Sequence, residues 1–162
     1  MQIIDADVAR DAVQLALPTI ERSMRDPAAG DSGCLHIVVM HPRLSPGSVP
    51  FAQAILYEYS INRANWDADY EKFARAKARV SWRTRKDSHV VQALQPQLLE
   101  PGDTVLWGGV CMDEIVVAVS GMQPWYDEAL SGVIACCIRA IAKGRAMRIA
   151  ADGLFVDGSA DG

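Results

Sequence analysis

Apolar positions recur along residues 5–25 at Ala9, Val13, Leu17, Ile20 and Met24, at intervals of four, four, three and four, while Arg10, Gln14, Glu21, Arg22 and Arg25 fall mostly on the other faces. That spacing predicts an amphipathic helix. Asp5 suits its N-cap and Asp7 its first turn. Pro18 has no backbone N–H to donate and is expected to kink or split the helix near its middle. Pro27, Gly30 and Gly33 mark residues 26–33 as a loop.

The pattern then turns β-branched and short. Residues 34–40 and about 52–61 predict two strands, joined by an excursion with Pro42, Pro46, Gly47 and Pro50 that exceeds the usual hairpin length. Loops of this length tend to be functional or to pack on a neighbouring subunit. From Asn65 the period becomes 3.6 again: Trp66, Tyr70, Phe73, Ala74, Lys77, Ala78 and Val80 share one side of a helix. Residues 104–110 and 114–121 predict a second hairpin around Met112-Asp113. Pro124, with Asp127 and Glu128, opens a last helix with an apolar face of Tyr126, Leu130, Val133 or Ile134, Cys137 and Ile141, and Gly144 after Lys143 is its expected stop.

The order helix, two strands, helix, two strands, helix predicts an α+β domain of profilin-like type, with a largely antiparallel central sheet and helices packed on its faces. The 162 residues suit one domain over 1–149 followed by an acidic, frayed tail over 150–162. Half the residues are hydrophobic and 22% are charged, so the bulk of the chain has the material for a core. Apolar runs such as residues 115–119 fall far short of the ~20 residues that span a bilayer. No secretory leader is evident at the start, and the expected location is cytoplasmic. Cys34, Cys111, Cys136 and Cys137 show no zinc or disulfide spacing.

The net charge of −4 argues against nucleic-acid and anionic-membrane partners. It conceals a basic stripe: Lys72, Arg75, Lys77, Arg79, Arg83, Arg85 and Lys86 hold seven of the 16 basic residues within 15 positions. Such a stripe is either a solvated helix face or a cradle for a compact anion such as a carboxylate. His89 stands at its end. His36 and His41 have no metal-ligand spacing and read as structural. Gly108-Gly109 and Ser120-Gly121 end the second pair of strands without a phosphate-loop pattern; they imply either backbone crowding or a flat cleft for a ligand. Asp127 and Glu128 read as partners of the helix dipole, with an acid/base role, shared with His41, as the enzymatic alternative.

Residues 74–78 (Ala-Arg-Ala-Lys-Ala) with the Ser/Thr-containing segment after them, Gly108-Gly109, residues 114–121 and Asp127-Glu128-Ala129 together resemble the GlcG/HbpS-like heme-binding family, which includes the C-terminal domain of PduO-type proteins. The resemblance spans residues 6–148. It implies a profilin-like fold, a homo-oligomer, and heme or another anionic small molecule as ligand. On that reading Lys77, Arg85 and Lys86 attract the carboxylates, Ser88 (where some relatives place a threonine) or His89 approaches the iron, and Gly108, Gly109, Ser120 and Gly121 allow close packing. The other classes are a small-molecule enzyme with an interface active site, and an oligomeric scaffold anchored by Trp66, Trp107 and Trp125.

Overall fold

Strands β1 (Leu35–Met40) and β4 (Ile115–Ser120) are buried along their whole length, which is why both read as nearly continuous apolar runs rather than as alternating ones. They lie side by side at the centre of a four-stranded sheet, in a computed structural model that describes residues 3–149. With β2 (Ile55–Ile61) and β3 (Gly109–Met112) at the edges, the order is β2-β1-β4-β3 and every pairing is antiparallel. The acidic tail expected at 150–162 lies outside the described residues.

Alternation along the central strands separates two cores. Leu35, Ile37 and Val39 of β1 and Ile115, Val117 and Val119 of β4 face α1 (Ala6–Met24) and α4 (Pro124–Ile149), packing on Val13, Ile20, Leu130, Ile134 and Ile138. Val38, Met40, Val116 and Ala118 face the other way, onto Ala74, Ala78 and Trp82 of α2 (Tyr70–Thr84). The result is a three-layer α+β sandwich of profilin-like type.

Asp5 caps α1 as expected, its carboxylate accepting the Val8 N–H at 3.0 Å. Pro18 does not split that helix, which runs unbroken; the proline lies on the exposed face, where water can satisfy the carbonyl it leaves free. The helix expected from Asn65 starts at Tyr70, capped by Asp69 through the Lys72 N–H at 3.0 Å. Gly144 does not stop α4, because Arg145 one residue further on ties the helix to Asp5 and to the Ile3 carbonyl at 2.8 and 3.1 Å. The proline excursion folds back on its own chain: the Leu44 carbonyl accepts the Trp82 indole N–H at 2.8 Å, and Phe51 packs edge-on against the same ring.

The second hairpin is shorter than its sequence suggests. Residues 104–108 are not a strand: the Gly108 carbonyl still accepts the Val119 N–H at 3.4 Å, but β4 ends at Ser120, and the Gln92 side chain takes the Thr104 and Leu106 carbonyls, both at 2.9 Å. Helix α3 (Ser88–Leu94), not foreseen, covers the β3 edge. Ser88 Oγ accepts the Gly109 N–H at 3.1 Å and Asp87 Oδ1 the Cys111 N–H at 2.9 Å, so two outward donors of an edge strand are satisfied by side chains.

Candidate functional site at the Lys77–Asp127 pair

The residue in α2 that breaks its apolar face is the residue around which the polar chemistry gathers. Lys77 follows Ala74 and precedes Ala78 and Ser81 on the buried side of the helix, and only 1% of its side chain is exposed. A buried ammonium must be paired. Its Nζ donates to Asp127 Oδ2 at 2.9 Å, to the Val119 carbonyl at 3.1 Å and to Ser120 Oγ at 3.4 Å.

Asp127 lies in the first turn of α4, equally buried, and its second oxygen accepts the Met122 N–H at 2.9 Å. Burial pushes the Asp127 carboxyl up to about 6 against the opposing pull of Lys77 and of the Met122 and Gly121 N–H groups, and burial pulls the Lys77 ammonium down. The two groups are thereby brought toward each other in proton affinity.

The glycines make the approach possible. A Cβ on Gly109 would stand 2.5 Å from Ser81 Oγ and 2.6 Å from the Lys77 carbonyl, and one on Gly108 would stand 2.7 Å from Lys77 Cδ. Helix α2 therefore lies directly on the start of β3, and the Lys77 stem crosses Gly108 to reach the end of β4. Of the two alternatives posed from sequence, backbone crowding is what Gly108 and Gly109 display.

Above the pair opens a cavity of about 230 Å³ lined by Ala68, Tyr70 and Phe73 of the α2 start, by Leu106, and by Ser120 to Met122, Pro124 and Asp127. Its floor is polar and its walls are largely apolar. Burial and the hydrogen bond to Asp67 at 2.5 Å hold the Tyr70 phenol up to about 12, so it stays neutral. Beside this cavity Val105, Trp107 and Trp125 stand exposed around a second, shallow hollow of about 220 Å³; Leu106 and Pro124 line both.

Of the nine residues singled out from sequence, Lys77, Gly108, Gly109, Ser120 and Gly121 come together here. Ser88 is fully buried with its hydroxyl engaged by Gly109. His89 sits near the second hollow, 38% exposed, with Nδ1 2.5 Å from Glu128 and its ring edge-on to Trp107. Arg85 lies at the other end of β3, 3.4 Å from Glu114 in the β3–β4 turn, and Lys86 follows it, half-buried.

The basic stripe is thus neither one solvated face nor one anion cradle. Arg75 pairs with Glu58 and Glu71, Arg79 with Glu100, and Arg83 with Asp103 and Glu100. Sequence reasoning passed over Tyr70, Phe73 and Leu106, and read Asp127 chiefly as a dipole partner. The available signal was a lysine in register with the apolar face of α2, which demands a buried carboxylate somewhere.

His36 is structural, as expected: its ring contacts Ser60 Oγ at 2.8 Å and Glu58 at 3.1 Å and stacks edge-on with Trp66. Its ligating atom and those of Glu58 and Glu71 lie within 4.8 Å of one another, a spacing a metal could use. Arginine supplies the positive charge there, since Arg75 bonds both carboxylates at 2.8–3.0 Å and Arg63 reaches Glu71 at 2.7 Å. The cavity over Lys77 is below the ~300–1,000 Å³ usual for drug-sized ligands, and Ser88 is sealed beneath Gly109.

The fold and site define a profilin-like domain with an ionisable pair at the floor of a small cavity. The structure of Klebsiella pneumoniae protein ORFY, described by the family model DUF336, has the same fold: TM-score 0.51 at 15% identity, covering 80% of this chain and 89% of that one. At that identity the likeness shows the fold. No family model matches the chain itself, and no curated protein matches it.

Proposed function

We propose that this protein is a GlcG-like small-molecule-binding domain whose ligand enters the cavity over Lys77 and Asp127. The observation that carries the reading is a fully buried Lys–Asp pair exposed to nothing but a cavity of about 230 Å³ with apolar walls. A buried pair of this kind contributes little net stability compared with apolar residues of the same volume, so its place at a cavity floor favours a chemical role. The ligand is a single-ring or short-chain molecule, its polar head on Ser120 and the pair, its body on Tyr70, Phe73 and Leu106. An anionic head would meet Lys77 with its charge already balanced by Asp127, so a neutral, hydrogen-bonding head is the better complement.

Self-association belongs to the same reading. Val105 and Trp125, 74% and 55% exposed, form with Trp107 an apolar rim continuous with the cavity mouth; a second copy placed there would close it. Sedimentation should find an oligomer at micromolar concentration that Trp107→Ser/Trp125→Ser converts to monomer.

Benzyl alcohol titrated into the labelled protein should shift resonances of Tyr70, Phe73 and Leu106 saturably, and Leu106→Trp should abolish the shifts. Shifts scattered over the surface would end the proposal. Heme is the second reading, favoured by the imidazole of His89 beside the exposed Trp107 ring. A Soret shift with hemin that is lost in His89→Ala is its test.

A further inference from the structure

Of the four lysines in the chain, Lys72 and Lys143 are exposed and Lys86 is half-buried, while Lys77 is sealed against a carboxylate at the floor of a cavity. An exposed lysine is a hydrated cation and a poor nucleophile. A desolvated one with a proton acceptor in contact has the features of amines that condense with carbonyl groups. We infer that Lys77 is a covalent capture site, forming a reversible imine with a small aldehyde or ketone held in the cavity, and that Asp127 carries the proton for it. The inference rests on the binding reading above and adds to it the reactive group of the ligand.

The chemistry closes on the groups present. One proton of the Lys77 ammonium passes over 2.9 Å to Asp127 Oδ2, leaving a neutral amine with two N–H bonds for the Val119 carbonyl and Ser120 Oγ. The nitrogen lone pair attacks the carbonyl carbon, the C–N bond forms, and the C=O π pair moves to oxygen. A proton moves from nitrogen to that oxygen to give the neutral carbinolamine. Asp127 then returns its proton to the hydroxyl, which leaves as water while the nitrogen lone pair forms the C=N bond. The product is a protonated imine beside an Asp127 carboxylate. The pair begins and ends as one cation and one anion, so no net charge is created in the buried site.

Three features support this assignment. Burial lowers the proton affinity of Lys77 and raises that of Asp127, so the neutral pair needed for attack lies closer in energy than it would in water. Ser120 Oγ, at the longest of the three contacts, lines the cavity and can hydrogen-bond the oxygen of an incoming carbonyl. Tyr70, Phe73 and Leu106 give an apolar body a surface and limit its size.

The test uses the full chain at neutral pH, benzaldehyde as probe, and cyanoborohydride to make any imine permanent, with the modified lysine located by peptide mass mapping. The expected result is a benzyl adduct on Lys77 that saturates with benzaldehyde, is suppressed by benzyl alcohol, and forms faster than adducts on Lys72, Lys86 and Lys143. Asp127→Asn should slow it about 10²-fold, the scale of a lost general acid–base group. Lys77→Met should remove it and leave the exposed lysines as before. Adducts confined to the exposed lysines or the terminal amine of the wild-type chain would overturn the inference, whatever the variants do. If benzyl alcohol still shifts Tyr70, Phe73 and Leu106 in that case, the cavity binds ligand without covalent capture, and only the inference falls. If it does not, both readings fall.

Discussion

Two ionic clusters lie against the same face of the sheet, one on each side of a single cross-strand row. Ser60, His36 and Ser120 are register partners on β2, β1 and β4. On the β2 side His36, Glu58, Glu71, Arg75 and Arg63 form a network in which Glu58 has two partners, Glu71 two and Arg75 two. On the β4 side Lys77 and Asp127 have, among the described residues, only each other for charge. The first cluster is partly open to water, with Glu58 24% exposed, and losing one member leaves others to compensate. The second is sealed, and the remaining charge would have nowhere to go. Redundancy and solvent make a cluster structural; isolation at a cavity floor makes one reactive.

The contrast is broken most directly by Asp127→Ala. It strands Lys77 and removes an acceptor from Met122, so a loss of about 3–5 kcal/mol in denaturant unfolding is expected. Replacing both partners, Lys77→Met with Asp127→Leu, should recover most of it, since a well-packed apolar pair often matches a buried ionic one. A small loss in the single variant would show that the pair is not isolated. Gly109→Ala comes next. Its methyl would press on the Lys77 carbonyl and Ser81, both on α2, so about 1–3 kcal/mol should be lost, with the benzyl alcohol site distorted as the helix is lifted from β3.

Arg75→Ala should cost less than about 1 kcal/mol, because Arg75 is 40% exposed and its acidic partners keep His36 and Arg63. A larger loss would make the open cluster as critical as the sealed one.

The smallest effect is a tilt in the pH profile. Asp127 is held above its ordinary value, to about 6, so its contribution to stability is complete below about pH 4 and is lost as pH rises through 6. Glu58 is held below its ordinary value chiefly by its hydrogen bond to Arg75, so its contribution is present above the normal carboxylate range and is lost as pH falls. Unfolding midpoints across pH 4–7 should rise more steeply with pH in Asp127→Asn than in wild type. Glu58→Gln should flatten the acid side. The same slope in both variants would remove the distinction.

The sequence showed a good deal of the architecture because periodicity reports burial. The 3.6-residue spacing from Ala9 to Met24 and the nearly continuous apolar runs of β1 and β4 are local signals of faces that must be covered. It erred where a distant partner decides. Residues 104–107 have strand composition, but β4 ends at Ser120 and the Gln92 side chain takes the Thr104 and Leu106 carbonyls. Gly144 has the chemistry of a stop, yet Arg145 is anchored beyond it. The site was half legible: Lys77 stood out on an apolar helix face, but Asp127, fifty residues on, looked like an ordinary first-turn acid.

What the sequence by itself determined, then, was an α+β fold, its strands and main helices, and a set of glycines, serines and one lysine that belong together. The tertiary structure decided what they do. It turned a basic stripe into ion pairs on several faces, joined Lys77 to Asp127, and opened a cavity above them. Pattern along a chain records which side chains leave water. Which charge each one meets depends on contacts between residues far apart in sequence, and those exist only once the layers have packed.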